Sequence, residues 1–140
     1  MNEKIIARAG ELIAERIGSP QNFCTLAFVD PDGYPHTTTI SISKADGIHR
    51  LTFCTGKGAK DYIIKLCNKA SVCINSAEYH ISLTGTIEQT TDPEIKKEMW
   101  YDGLKNHFSG YDDPNYCVLK FTTERYNLLV DWQNLKGNIV

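Results

Sequence analysis

Between residues 23 and 55, three β-rich runs follow one another through turns too short to hold anything else. FCTLAFVD (23–30) gives way to PDGYP (31–35), HTTTISISK (36–44) to ADG (45–47), and IHRLTFCT (48–55) follows at once. The runs are rich in β-branched and aromatic residues, and Pro and Gly stand where tight turns use them. Parallel neighbours need a crossover of a dozen or more residues. These three runs therefore form an antiparallel meander.

The rest of the chain is read around that meander. Ile5, Ile6, Ala9, Leu12, Ile13 and Ile17 recur at helical spacing, which predicts an amphipathic helix over 2–17 that Gly18 and Ser19-Pro20 stop. A second helix is expected over 59–69, with Tyr62, Ile63, Leu66 and Cys67 on one face. SVCINSA (71–77) and HISLTGTIEQT (80–90) read as two more strands. Asp92 can cap a helix over 93–102 with Pro93 at its first position. Residues 105–116 form a loop, and 116–124 and 125–133 close the chain as strands. Six or seven antiparallel strands with helices at the edges suggest a small β-barrel.

Composition excludes several function classes. The 140 residues suit one domain, 1–140, that buries roughly two-thirds of its unfolded surface. A net charge of −2 gives no pull toward nucleic acid or an anionic membrane. No apolar run approaches the roughly 18 residues of a membrane span. The N-terminus is charged throughout, unlike a signal peptide, so the cytosol is the expected location. The five cysteines, 24, 54, 67, 73 and 117, form no CxxC pair and read as reduced, buried thiols rather than zinc ligands. The four histidines are scattered. No Ser/His/Asp order, Cys/His pair or pair of carboxylates forms a catalytic set.

The junction TGKGAK (55–60) carries the one chemical signal. It is neither GxxxxGK[ST] nor GxGxxG. Gly56 and Gly58 would let backbone approach an anion, Thr55 offers a hydroxyl, and Lys57 and Lys60 offer charge. A lysine opening a helix opposes the dipole unless an anion or carboxylate offsets it. The alternative is a flexible loop with solvated lysines.

Three segments in order, DGYPHTTTI, LTFCTGKGAKDYIIKL and MWYDGLKNHFSGYDDPNYCVLKFTTERYNLLVDW, resemble the FMN-binding split-barrel family, the group containing pyridoxamine 5′-phosphate oxidase. The likeness covers about residues 5–135 and is nearest to the general-stress-protein-like branch. The third segment is the most specific, with a DDP loop between a Trp-bearing helix and a closing pair of strands. The resemblance implies a six-stranded antiparallel split β-barrel acting as a homodimer, with two FMN sites at the subunit interface. It places Thr38, Thr39, Ile40 and Ser41 along the flavin ring, and Cys54, Thr55, Lys57 and Lys60 at the phosphate. It puts Trp132 near the flavin and leaves Trp100 to the core or the dimer. One charged hydrogen bond from Lys60 would be worth about 1.5–3 kcal/mol, or about 10- to 150-fold in affinity.

Two positions depart from the family pattern. Thr38 stands where an Arg is common, and Ala59 near where a Ser is common, so phosphate contacts are fewer. Related split barrels hold heme or a deazaflavin instead. The resemblance implies an oxidoreductase moving hydride or electrons between NAD(P)H and a small organic acceptor. The alternative is a non-catalytic flavin- or heme-binding stress or sensor module. Pyridoxamine phosphate oxidation itself fits less well, because the basic residues for its substrate phosphate are not found here. The DDP turn is assigned no chemistry.

Overall fold

In the computed structural model, which describes residues 2–58 and 60–139 with the side chains of 60–62 excepted, the chain is an antiparallel sheet curled upon itself. Helix α1 (Asn2–Ile17) leads into strands β1 (Phe23–Val29), β2 (Pro35–Ser41), β3 (Lys44–Asp46) and β4 (Arg50–Gly56). Helix α2 (Lys60–Leu66) follows, then β5 (Lys69–Asn75) and β6 (His80–Thr90). Helix α3 (Pro93–Met99), a 3-10 turn (Asp102–Asn106), β7 (Tyr116–Val130) and β8 (Gln133–Asn138) complete it. The strand order is β2-β1-β5-β6-β7-β4-β3, with β8 on β7.

The split-barrel expectation holds, and the strand count is corrected from six to eight. Residues 44–46, expected to lead into and form a turn, make the short strand β3 against residues 50–52. The two closing strands are divided differently. β7 runs unbroken through residue 125 to Val130 and turns back at Asp131 and Trp132. Local alternation could not reveal this, because β7 stays in register with β6 through one irregularity. Thr84 faces Arg125 and Gly85 faces Thr123, so Glu124 is the extra residue of a bulge. A Cβ on Gly85 would collide with the Thr122 carbonyl oxygen, so the bulge needs glycine there. The expected helices over 59–69 and 93–102 are shorter, each seven residues.

Inward-facing residues of all the long strands fill the core, among them Leu26, Phe53, Leu83, Leu119 and Phe121, each fully buried. Helix α1 covers one side with Ile5, Ala9 and Ile13 at its predicted spacing. A Cβ on Gly10 would lie 3.0 Å from Gly47 Cα, so the helix and the β3–β4 turn touch backbone to backbone. Arg16 fastens the helix end to the barrel through Phe23 O at 3.1 Å and Asn75 O at 2.8 Å.

A second, smaller cluster lies on the outer face of β4 and β7. Leu104, Phe108, Tyr116 and Val118 are buried there, with Cys54, Met99 and Trp100 packed against them. Asp92 caps α3 as expected, accepting from Glu94 N at 3.0 Å with Pro93 at the first position. The 3-10 turn is too short to hold itself. Burial of Leu104 and Phe108, each worth roughly 1.5–3 kcal/mol, keeps it in place. The loop that follows is organised by Asp113. Its Oδ2 accepts from Ser109 N at 2.9 Å and Ser109 Oγ at 3.3 Å, and its Oδ1 from Asn115 N at 2.9 Å. Lys96, largely buried, donates Nζ to the Asp113 carbonyl at 3.0 Å. The Ser109 and Asn115 amides hold the Asp113 carboxyl below its ordinary value.

Two outcomes follow from these contacts. Gly85→Ala should destabilise the protein by about 3 kcal/mol, the upper end for overpacking, as read by urea unfolding; a loss below about 1 kcal/mol would show that the bulge can move. Asp113 titrates below its unfolded value of about 3.9, so its contribution is complete above that pH and disappears as pH falls through the folded value. Thermal unfolding of wild type should therefore exceed that of Asp113→Asn at neutral pH, and the difference should shrink below about pH 4. A difference constant down to pH 2 would mean that the carboxylate is not the stabilising group.

Candidate functional site

The barrel is split where β2 and β4 part. Two successive amides serve opposite edges of the sheet. Ile42 N donates to Asn22 O at 2.8 Å, on the β1 side, and Ser43 N donates to Thr52 O at 2.9 Å, on the β4 side. Lys44 faces Thr52, so a continued ladder would set residue 42 opposite 54 and residue 40 opposite 56. Instead β2 turns away to pair along all seven of its residues with β1. A gap opens between residues 38–43 and 53–57, with β2 and β4 still approaching within 8 Å between Cα atoms.

Backbone alternation tells what faces the gap. Thr52 O points toward β3, so the peptide groups of Cys54 also turn away from β7 and toward β2. In β2, Ile40 is in the barrel core and Thr38 shares its inward side. Thr39 and Ser41 face outward, the first exposed and the second half-buried. Of the four β2 candidates, Thr39 and Ser41 thus present hydroxyls outside the barrel, and Ile40 supports the strand from within. Thr55 shares the inward side with Phe53 and is half-buried opposite Cys117.

The Cys54 thiol does not enter the gap. Its Sγ lies 3.6 Å from both Met99 O and Tyr116 Oη, beneath α3. Burial first, and then Cys54, push the Tyr116 hydroxyl above its ordinary value. Tyr116 Oη donates to Lys96 O at 2.9 Å. Beside this group, burial and Cys54 raise the Tyr101 hydroxyl while Ser43 works against them. Ser43 Oγ is buried, and as a hydrogen-bond partner it favours the ionised form of the Tyr101 hydroxyl. Sequence reasoning missed Ser43, Met99 and Tyr101, because 45 or more residues separate Cys54 from Met99 and Tyr101 and only the fold joins them.

The 56–58 loop closes one end. Lys57 is half-buried, and its N–H donates to Asn115 O at 2.7 Å. Gly58 has φ +48 with nothing within 4 Å of an added Cβ, so its backbone borders open space. The Lys60 side chain, Ala59 and the Tyr62 side chain lie outside the described residues. Helix α2 has only seven residues, so any anion here would rest on side-chain charge and glycine backbone rather than on a helix dipole.

Trp132 is not brought to this gap. It sits 75% exposed at the β7–β8 turn with φ +62, beside Asp131 at φ +51. A bulky residue in the left-handed region is an outlier that a hairpin tolerates when both turn residues share it. Cys54 pairs with Val118 near the start of β7. Trp132 lies beyond its other end, roughly 45 Å of extended chain away.

Beside the β3–β4 end of the gap is a cleft of about 690 Å³ lined by Lys44, Arg50, Thr52, Glu88, Met99 and Lys120. The size suits an organic ligand. Its charges largely oppose one another across the strands, Arg50 facing Asp46 and Lys120 facing Glu88. The residues around the gap fit a flavin phosphate in kind: outward hydroxyls of Thr39 and Ser41, strand-edge peptides, and Lys57 at the glycine loop. Burial pushes Cys24 up to about 12 and Cys73 above its ordinary value. Among the described residues, no group of three or more His, Cys, Asp or Glu is arranged to hold a metal, and no helix is long and apolar enough to cross a membrane.

Comparison with known proteins agrees with this architecture. A protein from Clostridium acetobutylicum, related to general stress protein 26 and of the pyridoxinephosphate oxidase family, superposes with a TM-score of 0.81 at 24% identity, covering 99% of this chain and 97% of that one. A pyridoxamine 5′-phosphate oxidase-related, FMN-binding protein from Nostoc punctiforme gives 0.69 at 16%, covering 93% and 94%. A heme-binding protein from Mycobacterium smegmatis gives 0.71 at 18%, covering 95% and 57%. Among curated protein sequences there is no significant match. The sequence pattern of pyridoxamine 5′-phosphate oxidase matches residues 11–129, and the chain therefore belongs to the pyridoxamine 5′-phosphate oxidase family.

Proposed function

We propose that the protein is an FMN-binding flavoprotein that passes electrons or hydride between NAD(P)H and a small organic acceptor. The observation that carries this reading is the parting of β2 from β4, which leaves strand-edge peptides and hydroxyls beside a glycine–lysine loop. The family and its FMN-binding and general-stress-protein relatives support it.

The chain's own residues would bind and orient. Thr39, Ser41 and the Cys54 peptide would hydrogen-bond the ring edge. Lys57 and Lys60 would offset the phosphate charge, with Thr55 lending a hydroxyl. Bound flavin would supply the redox chemistry, which is why no acid–base pair is needed. Trp132 stands toward the end of β7 opposite Cys54, so the reading has it join the site from a second copy, in a homodimer with FMN at its interface. An exposed, strained aromatic at a hairpin tip suits that role, because a rigid ring buries much area at small entropy cost.

A non-catalytic heme module is the second reading, favoured only by the heme-binding relative. An axial histidine is the usual need. The His36 ring lies tilted beside Phe28, centroids 5.0 Å apart, and His80 Nδ1 lies 4.0 Å from Cys73 Sγ. His49 and His107 also lie outside residues 38–43 and 53–57.

The absorption spectrum of purified protein, followed by FMN titration, is the deciding experiment. Saturable FMN binding, with NAD(P)H bleaching the flavin bands and an acceptor restoring them, is the expected result. Bound but unreactive flavin would leave a binding module, and a Soret band would put heme first. Lys60→Ala should weaken FMN about tenfold or more, and Trp132→Ala should weaken it without loss of fold. Unchanged affinity in either variant would remove that residue from the site.

A further inference from the structure

We infer that the Asp113 turn is the positioning device of the glycine–lysine loop, setting from outside the site where Lys57 and the 56–58 backbone stand. This inference rests on the phosphate reading of that loop given above.

Gly56 ends β4 opposite Tyr116, the first residue of β7. One residue later, Lys57 N donates to Asn115 O at 2.7 Å. A Cβ added to Gly56 would meet Asn115 Nδ2 at 3.4 Å and Asn115 O at 3.9 Å. The first half of the loop therefore lies against Asn115 from two directions. Beyond it, Gly58 borders open space on the side a Cβ would occupy.

Asn115 has no hydrophobic anchor of its own and is exposed. Its position comes from Asp113. The carboxylate grips Asn115 N with one oxygen and Ser109 with the other. The Asp113 backbone closes the turn, its N–H donating to Gly110 O and its carbonyl accepting from Tyr116 N, both at 3.0 Å. Lys96 Nζ joins that carbonyl from inside the small cluster, lying 5.3 Å from the centre of the Tyr116 ring. The chain of contacts runs from α3 through Lys96 to Asp113, then through Asn115 to Lys57. Each link is a hydrogen bond to backbone, so a change at Asp113 moves peptide groups rather than a single side chain.

Asp112, its neighbour, carries the same charge but makes none of these bonds to Ser109, Asn115 or Lys57. It separates charge from geometry. A general loss of negative potential would be shared by Asp112→Ala and Asp113→Ala, whereas loss of the turn belongs to Asp113 alone.

The test uses the full chain and two probes, FMN and riboflavin, which share a ring and differ in the phosphate. Wild type should prefer FMN. Asp113→Ala should weaken FMN about tenfold and leave riboflavin unchanged, and Asp112→Ala should match wild type for both. Hydrogen exchange in the ligand-free protein gives an independent readout: the Lys57 amide should be protected in wild type and in Asp112→Ala and exchange faster in Asp113→Ala. Should Asp113→Ala not fold, Asp113→Asn keeps the shape and one acceptor oxygen and should show the same direction at smaller size. A folded Asp113 variant with unchanged FMN preference, or with unchanged Lys57 exchange, would overturn the inference while leaving flavin binding standing. A wild type that binds FMN no better than riboflavin would overturn the phosphate reading and this inference with it.

Discussion

The architecture turns on two neighbouring peptide groups. Ile42 and Ser43 donate their amides to opposite edges of the sheet, Asn22 on one side and Thr52 on the other. A strand can serve only one ladder per side, so residues 35–41 belong to β1 and residues 44–46 to β4. The barrel closes through this crossing point and cannot close beyond it. What is left is an edge of peptide groups with water or ligand as partners, and a backbone polar group is not left unpaired without cost. The same constraint that completes the fold thus creates the candidate site.

Around that point the sheet is held from both faces. Inside, a continuous apolar core leaves little freedom for β2 or β4 to close the gap by shifting, since a one-residue slip would turn Ile40 and Phe53 outward. Outside, α3 and the 3-10 turn lay Met99, Leu104 and Phe108 over Cys54, Tyr116 and Val118. The Cys54 thiol is thereby turned to structural use, while its peptide stays with the gap. The long β7 joins the two halves of the molecule, and the Gly85 bulge lets it follow the curvature of β6. It also carries Trp132 to the end of the strand opposite the one that pairs with Cys54.

Much of this was legible residue by residue. The spacing of Ile5, Ala9 and Ile13 located α1 and its buried side. Asp92 and Pro93 marked the start of α3, and the Pro/Gly turns marked the meander. The strand count was not legible, because β3 has three residues and is a strand only through pairing with 50–52. Nor was the unity of β7, whose register depends on a bulge partner forty residues earlier. At the candidate site, the glycine–lysine loop showed itself through composition, but Ser43, Tyr101 and Met99 did not. Their meeting with Cys54 is a matter of packing between distant segments. The DDP turn looked like punctuation, and its grip on Lys57 through Asn115 became visible only in three dimensions.

The sequence by itself determined the local alphabet: which runs extend, which coil, where the chain reverses, and which family pattern it follows. Those are short-range properties, set by side-chain branching, glycine and proline, and apolar period. The tertiary structure alone decided which strand edges pair and which stay open, and therefore where a ligand could find hydrogen-bond partners. That decision is global, since pairing at one edge is settled by how the whole sheet curls and by which edges meet when it does.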